Sequence, residues 1–499
     1  MDIFKPDLNL FKKNYESGQR QVVFSSFPAD VHTPVSSLIK LEKEDYVFLF
    51  ESVEKGSQKG RYSVIGLKPD LIWECKDNKC KVIDKNLKKH NSETNITPLK
   101  SLRNLIKNNK FKTSNQVPSI SSGLFGYMGY EMIQYFERID LKKKNKLELP
   151  DSVFIRPSLT LVFDNVNDKL FVTKTISPND KNSVTAFKTA KREIENLINK
   201  INKPLNQKTL KLKRFEKKID VFKGVKSNTG FKEFKSMVEK AKRLILEGEI
   251  FQVVLSRVFK KKINNHPLSI YRSLRHLNPS PYLFYMNFKK FTIVGSSPEI
   301  LIKLTDKKVT IRPIAGTRKR GINKKEDKKL KNDLLSDSKE IAEHLMLLDL
   351  GRNDISRVSE PGTVKVTDKM YIEYFSHVMH IVSNIDAKLK KNNDSTDVLF
   401  SGFPAGTVTG APKIRAIEII EELEKSRRNV YAGSVGYISN NGDVNTCIAL
   451  RTALIKNNYI YVQAGAGIVA DSKPNNEFKE TENKALAILT ACAYANNFK

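Results

Sequence analysis

The segment EIFQVVLSR, at residues 249–257, is the clearest β-strand pattern in the second half of the chain. Side chains alternate between the two faces of a strand, so Phe251, Val253 and Leu255 share one face and Gln252 lies on the other. Apolar residues recur at helical spacing just upstream, and Gly248 provides a stop signal between the two patterns. Those apolar residues are Phe234, Met237, Val238, Ala241, Leu244 and Ile245. This order predicts a helix that leads directly into a strand.

The N-terminal part of the chain mixes short strand patterns with helix patterns in the same way. Strand-type runs occur at residues 45–51, 159–163 and 172–176, and a polar helix pattern covers residues 186–200. The composition then turns to lysine, with few large apolar residues, at residues 202–223. We therefore predict an α+β protein in three parts. They are a smaller N-terminal unit at residues 1–201, a connecting segment at 202–228 and a larger unit at 229–499.

The composition is that of a folded protein without membrane spans. Hydrophobic residues make up 39% of the 499 positions, which is enough to bury a core. No run approaches the roughly 18 apolar residues that a membrane-spanning helix needs, and the N-terminus lacks the apolar region of a signal peptide. We therefore expect a cytoplasmic protein with no membrane partner. The four cysteines have no paired metal-binding spacing, so they are predicted to be reduced thiols. They are Cys75, Cys80, Cys447 and Cys492.

The formal net charge is +32, from 87 basic and 55 acidic residues. Such an excess can indicate a nucleic-acid or anionic-membrane partner. Only 20 of the basic residues are arginine, however, and the lysine clusters are not interleaved with aromatic residues. Nucleic-acid sites favour arginine forks and stacking aromatic rings. The charge pattern therefore predicts a lysine-rich solvated surface and no nucleic-acid partner.

Two segments place a pair of glutamates one helical turn apart. The pairs are Glu340 with Glu343 and Glu477 with Glu480. Like charges at this spacing repel each other unless a cation lies between them. A hard divalent ion such as Mg²⁺ would remove the repulsion, and two solvated helix faces are the alternative. In the first segment, SDSKEIAEHLMLLDL at residues 336–350, the predicted buried side chains are Ile341, Leu345 and Leu348.

Three glycine-containing turns are further candidate sites. They are RPIAGTRKRG at residues 312–321, GFPAGTVTGAPK at 402–413 and YIYVQAGAGIVA at 459–470. In the last turn, Gly465 and Gly467 leave backbone N–H groups open to a ligand. None of the three has the spacing of a P-loop or of a dinucleotide-binding turn. Each turn alone is compatible with an anion site or with a simple tight turn.

Taken together and in order, these segments resemble component I of the anthranilate synthases, a family of chorismate-utilising enzymes. The motifs that carry the resemblance are LFES, RYSVIG, IFQVVLSR, LNPSPYLFYM, GSSPEIL, RPIAGTR, AEHLMLLDLGRNDISR, GFPAGTVTGAPK, QAGAGIVADS and ETENKA. The match covers roughly residues 20–492. It implies an α+β fold with large antiparallel β-sheets flanked by helices and with a smaller N-terminal regulatory unit. It also implies Mg²⁺-dependent conversion of chorismate and ammonia to anthranilate and pyruvate, in tryptophan biosynthesis.

The resemblance implies a metal site and a substrate site. Glu343 and Glu480 match the glutamates that bind the metal, and Glu340 and Glu477 match acidic neighbours that act through water. The implied substrate-binding residues are Gly316, Thr317, Tyr431, Arg451, Gly465, Ala466, Gly467 and Lys484. Arg451 suits a carboxylate of chorismate, because a guanidinium offers two parallel donors.

The resemblance also implies the catalytic residues and the nucleophile. Glu299 matches a general acid for the departing C4 hydroxyl, and His380 and Thr407 match positions near the reacting ring. Related isochorismate and salicylate synthases carry a water-activating lysine in place of Gln252, so ammonia is the implied nucleophile here. Aminodeoxychorismate synthases usually carry a nucleophilic lysine in place of Ala315. An aminodeoxychorismate synthase component I is the first alternative, and a catalytically silent or nucleic-acid-binding protein of this fold is the second.

Two partners are implied in addition to chorismate. The contexts of the four cysteines do not match the nucleophilic turn of a glutaminase. A separate glutamine amidotransferase subunit, component II, is therefore expected to supply ammonia, in a heterotetramer of two chains of each kind. L-Tryptophan is expected as a feedback inhibitor in a pocket between the two units. The implied pocket residues are Glu51, Ser52, Pro281, Tyr282 and Leu283, the last of which is commonly methionine in the family.

Overall fold

The computed structural model describes residues 4–52, 60–85, 89–93, 96–179, 182–206, 219–375 and 378–498. Every strand pair in these ranges is antiparallel, and the strands form one continuous hydrogen-bonded network. The strands are β1 (Phe4–Lys5), β2 (Gln21–Pro28), β3 (Phe48–Glu51), β4 (Tyr62–Lys76), β5 (Lys79–Asp84), β6 (Lys89–Glu93), β7 (Gly123–Met128), β8 (Ser152–Asp164), β9 (Lys169–Ile176), β10 (Lys226–Ser227), β11 (Gln252–Lys262), β12 (Tyr282–Asn287), β13 (Thr292–Ser297), β14 (Ile300–Thr305), β15 (Lys308–Ile311), β16 (Ile314–Lys319), β17 (Lys365–Tyr374), β18 (Val378–Lys388), β19 (Gly410–Ala411), β20 (Ser434–Ser439), β21 (Val444–Ile448), β22 (Thr452–Lys456) and β23 (Tyr459–Ile468).

Helices accompany the sheet at regular intervals along the chain. They are α1 (Leu8–Glu16), α2 (Pro34–Leu41), α3 (Pro98–Asn109), α4 (Ser183–Asn202), α5 (Phe231–Leu246), α6 (Pro267–Leu277), α7 (Lys324–Ser336), α8 (Ser338–Ser356), α9 (Ser395–Ser401), α10 (Gly406–Thr409), α11 (Lys413–Leu423) and α12 (Pro474–Tyr494). In the part of the chain that the structure describes, no helix combines the length and the apolar character that crossing a membrane requires.

The predicted N-terminal unit and the larger unit share hydrogen-bonded strands. β3 pairs with β12, with Glu51 opposite Leu283, and β7 pairs with β20, with Gly126 opposite Gly436. The buried core likewise draws on both halves of the chain, since Trp73 and Phe234 belong to one cluster. The connecting segment predicted at residues 202–228 includes positions 207–218, which lie outside the described residues. The division of the chain into three parts stays a prediction.

The central strand pair of the larger unit is β11 with β23. Val253 lies opposite Ile468 and Ser256 opposite Gly465. The predicted helix and strand are both present, as α5 and β11, and Val253 and Leu255 are buried against α5. Phe251 is 71% exposed, contrary to the predicted shared face, because β11 begins one residue later.

Helix α8 buries a different face from the predicted one, which contained Ile341, Leu345 and Leu348. The buried positions of α8 are His344, Leu347, Leu348, Gly351, Asp354 and Ile355, whereas Leu345 is 39% exposed. His344 Nε2 lies 2.6 Å from Ser383 Oγ of β18, so a polar contact fixes the rotation of the helix. The apolar spacing alone contained no sign of this contact.

Candidate active site

The two glycines of β23 form one wall of the candidate site. A Cβ atom on Gly467 would lie 2.8 Å from Gln252 Nε2, and one on Gly465 would lie 2.8 Å from the Tyr431 hydroxyl oxygen. Glycine is therefore required at both positions for these polar side chains to approach the backbone. The Gly465 carbonyl oxygen accepts a hydrogen bond from Lys484 Nζ at 3.1 Å. This wall brings residues from β11, β23 and α12 to one place.

Glu299 lies between β13 and β14 and is buried, with 7% of its surface exposed. Thr407 Oγ1, in the short helix α10, donates a hydrogen bond to Glu299 Oε1 at 3.0 Å. Burial raises the pKa of Glu299 from 4.5 to about 8, although the Thr407 hydrogen bond and the charge of Lys484 act in the opposite direction. At pH 7 about nine-tenths of such a group is protonated, so Glu299 is a neutral acid.

His380 of β18 is held by residues of β16. Its Nδ1 lies 2.9 Å from the Gly316 carbonyl oxygen and 3.0 Å from Thr317 Oγ1. A carbonyl oxygen can only accept, so Nδ1 carries the proton and Nε2 keeps its lone pair. The pKa of His380 is lowered to about 4, mainly by burial and also by the charges of Arg451 and Lys484, while the Gly316 hydrogen bond acts in the opposite direction.

Arg451 and Lys484 provide the positive charge of the site. Arg451 has φ = 46°, in the left-handed region, and burial lowers the pKa of its guanidinium. Within the described ranges, no carboxylate lies within ion-pair distance of this guanidinium. Lys484 Nζ pairs with Glu480 Oε1 at 2.7 Å. Arg451 is half-buried, and an arginine in such a position that lacks an internal carboxylate is suited to a ligand carboxylate.

The predicted glutamate pairs lie in the first two turns of α8 and α12, with Glu340 and Glu477 in the first turn of each helix. Glu343 Oε1 accepts from Gln252 Nε2 at 3.0 Å, and Glu340 Oε1 accepts from Arg318 Nη1 at 3.2 Å. The pKa of Glu340 and that of Glu477 are raised, first by burial and also by the neighbouring Glu343 and Glu480 charges respectively. The charges of Lys484 and Lys339 act in the opposite direction on the pKa of Glu477, which stays raised.

This donor set fits Mg²⁺ in its usual binding mode. Among the residues that the structure describes, no group of three or more His, Cys, Asp or Glu side chains is placed to hold a metal ion alone. Mg²⁺ seldom uses an all-protein cage; it keeps several waters and binds through one or two carboxylates together with its substrate. Gln252 links Glu343 to the Gly467 position, and Lys484 links Glu480 to the Gly465 carbonyl oxygen, so both carboxylates border the glycine wall.

The five residues predicted to bind tryptophan occur together in another part of the molecule. Glu51 and Leu283 face each other across β3 and β12, and both are buried. The Glu51 carboxylate accepts from the Tyr271 hydroxyl and from Arg275 Nε, each at 2.7 Å. Ser52 follows Glu51 directly, and Pro281 and Tyr282 lie at the start of β12.

The structure adds residues that the sequence did not point to. Arg318 balances Glu340, and Tyr271 and Arg275 hold Glu51. The sequence could have indicated Arg318, because it directly follows the candidate residues Gly316 and Thr317. Tyr271 and Arg275 are more than two hundred positions from Glu51 and carry no local signal.

The class of the protein follows from its agreement with a known family. A family profile described as chorismate binding enzyme matches residues 48–490, which is most of the chain. This chain belongs to the chorismate binding enzyme family, and the predicted α+β fold of that family is confirmed.

Within the family, the similarity is to component 1 of anthranilate synthase. The component 1 chain of Cereibacter sphaeroides is 44% identical over 499 residues, which span 98% of this chain and 97% of that one. The crystal structure of anthranilate synthase component I from Streptococcus pneumoniae has a TM-score of 0.74 and 35% identity, and the match covers 88% of this chain and 94% of that one. The menaquinone-specific isochorismate synthase of Escherichia coli shares the fold, with a TM-score of 0.70 and 21% identity. That match covers 97% of this chain and 98% of the other. The chain therefore groups with the anthranilate synthase lyases, as its motifs predicted.

Proposed function

We propose that the chain converts chorismate and ammonia to anthranilate and pyruvate, as a step of tryptophan biosynthesis. The single observation that carries this proposal is the buried Glu299 carboxyl group held by Thr407, in a setting that raises its pKa to about 8. A neutral carboxylic acid in this position can protonate a departing hydroxyl, which is the step that makes the C4 oxygen of chorismate a leaving group. The surrounding residues support the remaining requirements of the reaction.

Chorismate is a dianion, and the site offers two cations for it. The Arg451 guanidinium has no carboxylate of this chain within ion-pair distance in the described ranges, and it is assigned to the enolpyruvyl carboxylate. Lys484, positioned by the Gly465 carbonyl oxygen, is assigned to the ring carboxylate. The neutral His380 presents an accepting Nε2, which suits a hydroxyl of the ring.

Glu343 and Glu480 are the residues proposed to hold Mg²⁺, with Glu340 and Glu477 beside them. When bound, Mg²⁺ supplies neutralisation of the ring carboxylate and withdraws electron density from the ring. In the chain alone, Gln252, Lys484 and Arg318 hold the carboxylates of Glu343, Glu480 and Glu340 in place by hydrogen bonds and ion pairs.

The identity of the nucleophile follows from Gln252. Its amide group donates to Glu343 and has no basic nitrogen, so it cannot activate water. Ammonia needs no such base, because it attacks as the neutral amine. The buried Ala315 likewise cannot act as a covalent nucleophile, which distinguishes this chain from an aminodeoxychorismate synthase.

Ammonia is proposed to come from a second chain, a glutamine amidotransferase, in an assembly of two chains of each kind. All four cysteines are buried, and burial raises the pKa of Cys447 to about 12 and that of Cys492 to about 11. A buried thiol of high pKa is a poor nucleophile, so these cysteines are unsuited to hydrolysing glutamine.

We expect the isolated chain to form anthranilate from chorismate, Mg²⁺ and ammonium, but not from chorismate, Mg²⁺ and glutamine. The fluorescence of anthranilate provides the assay, and chelation of Mg²⁺ provides the blank. Formation of a para-aminobenzoate, or a glutamine-dependent rate without a second chain, would contradict the proposal.

Ser52→Leu is expected to weaken inhibition by L-tryptophan by about tenfold or more while kcat in the absence of tryptophan is retained. The proposed pocket lies where β3 meets β12, and Ser52 is half-buried directly after β3. The bulkier leucine side chain is expected to occupy space in this pocket that the inhibitor needs. Inhibition curves measure the effect, and unchanged inhibition would remove this pocket from consideration.

A further inference from the structure

A cavity of about 410 Å³ lies beside Tyr431, outside the residues assigned to chorismate and tryptophan except for Tyr431 itself. It is bounded by β11, β22 and β23, by the turn at residues 425–431 and by the loop at residues 144–147. This volume is within the range of small-molecule sites, which is roughly 300–1,000 Å³.

The cavity combines an apolar floor with a basic rim. The floor is formed by Leu147, Val258, Val430, Tyr431, Leu454 and Tyr461. The basic lining residues are Lys144, Lys146, Lys226, Lys260, Lys425, Arg427 and Arg428. No aspartate or glutamate lines the cavity in the described part of the chain. A ligand with an aromatic body and a negative charge matches both surfaces.

Internal carboxylates neutralise three of these cations. Arg428 Nη2 pairs with Glu424 at 2.6 Å, Arg427 Nη1 pairs with Asp151 at 3.2 Å, and Lys425 pairs with Glu233. The other four are lysines, and the described residues place no carboxylate within ion-pair distance of them. They are Lys144, Lys146, Lys226 and Lys260. The rim therefore keeps a positive charge that the protein does not balance.

The cavity continues the sheet face that carries the active site. Residues alternate along β23, so Tyr461 and Gln463 of the cavity share a face with Gly465 and Gly467. Tyr431 lies between the two sites, because it lines the cavity and its hydroxyl oxygen lies 2.8 Å from the position that a Cβ atom on Gly465 would take. The two sites are adjacent and separate.

We propose that this cavity binds a small aromatic carboxylate, with the ring against Val258, Leu454 and Tyr461 and the carboxylate towards the lysine rim. The apolar floor distinguishes such a ligand from an inorganic anion, and the four unbalanced lysines distinguish it from a neutral aromatic molecule. The inference rests on the lining of the cavity and does not depend on the proposed reaction.

Calorimetric titration of the full chain with benzoate tests the proposal. An Arg451→Gln, Lys484→Gln variant removes the cations of the neighbouring site, and benzoate binding is expected to persist in it. Benzamide, which has the same shape without the charge, is expected to bind about tenfold more weakly or worse. Loss of benzoate binding in this variant, or equal binding of benzamide, would overturn the proposal.

Two further variants test whether benzoate binds in this cavity. The first is a triple variant that reverses the rim charge at three exposed positions, Lys144→Glu, Lys146→Glu, Lys260→Glu. It is expected to lower benzoate affinity by about tenfold or more. Lys13→Glu, Lys188→Glu, Lys203→Glu makes the same change of net charge at exposed positions on and beside α1 and α4 and serves as the control. Val258→Trp fills the half-buried floor without a change of charge and is expected to abolish binding. Unchanged affinity in the rim variant and in Val258→Trp would show that benzoate binds elsewhere.

Discussion

Glu299→Gln is expected to lower kcat by about 10²–10⁴-fold while chorismate still binds with nearly normal affinity. Glutamine keeps the shape of the side chain and its contact with Thr407, but its amide cannot transfer a proton to the leaving hydroxyl. Steady-state kinetics with ammonium measure kcat and KM separately. The matched control is Glu247→Gln, at an exposed position just after α5. A near-normal kcat in Glu299→Gln would remove this residue from the role of acid.

The pH dependence provides an independent test of the same residue. Burial raises the pKa of Glu299 to about 8, so the fraction of the active, protonated form falls as pH rises through that value. At a constant concentration of free NH₃, the rate is expected to show a falling limb near pH 8 that Glu299→Gln does not share. The free energy of unfolding changes with pH in the same direction as the rate. Between pH 4.5 and about 8, Glu299 holds a proton in the folded chain that it has lost in the unfolded chain. The contribution of Glu299 to the free energy of unfolding therefore decreases as pH rises across this window.

Arg451→Gln is expected to lower kcat/KM for chorismate by about 100-fold or more, mainly through KM. Loss of a buried charged partner costs about 2–5 kcal/mol, because the ligand carboxylate is left without its counter-charge. Arg451 is half-buried, and the other cation of the site, Lys484, is bound to the Gly465 carbonyl oxygen and to Glu480. Isothermal binding of chorismate and steady-state kinetics both measure the effect.

Arg451→Lys is the matched control for this prediction. It retains the positive charge and loses the forked pair of donors, so an intermediate loss is expected. Equal activity of the wild type and Arg451→Gln would show that the enolpyruvyl carboxylate binds elsewhere.

The sequence indicated the class of the fold and the residue types of the site. It did not indicate which residues neutralise or hydrogen-bond the site carboxylates. The spacing of Glu340 and Glu343 predicted that they share a helix face, and the structure places them there. Their counter-charges and donors come from other elements: Arg318 from β16 and Gln252 from β11. Residues that meet only through tertiary folding leave no local periodicity to detect.

Two predictions from hydrophobic periodicity were wrong, because the pattern does not show where an element begins or what it packs against. Phe251 follows the alternation of β11, yet it is exposed because the strand starts after it. Leu345 follows the helical spacing of α8, yet the contact of His344 with Ser383 rotates the helix and leaves Leu345 partly exposed. Periodicity predicts which residues share a face, whereas the neighbouring elements determine which face is buried.

The pairing of β3 with β12 and of β7 with β20 has a consequence for dividing the chain. A fragment that begins at residue 229 would lose β3 and β7 and expose the backbone edges of β12 and β20 to solvent. Unprotected strand edges recruit other chains, so such a fragment is expected to aggregate where the full chain stays dispersed. Supplying residues 1–228 as a second polypeptide would restore both edges, and the two halves of the chain would then behave as complementing fragments of one fold.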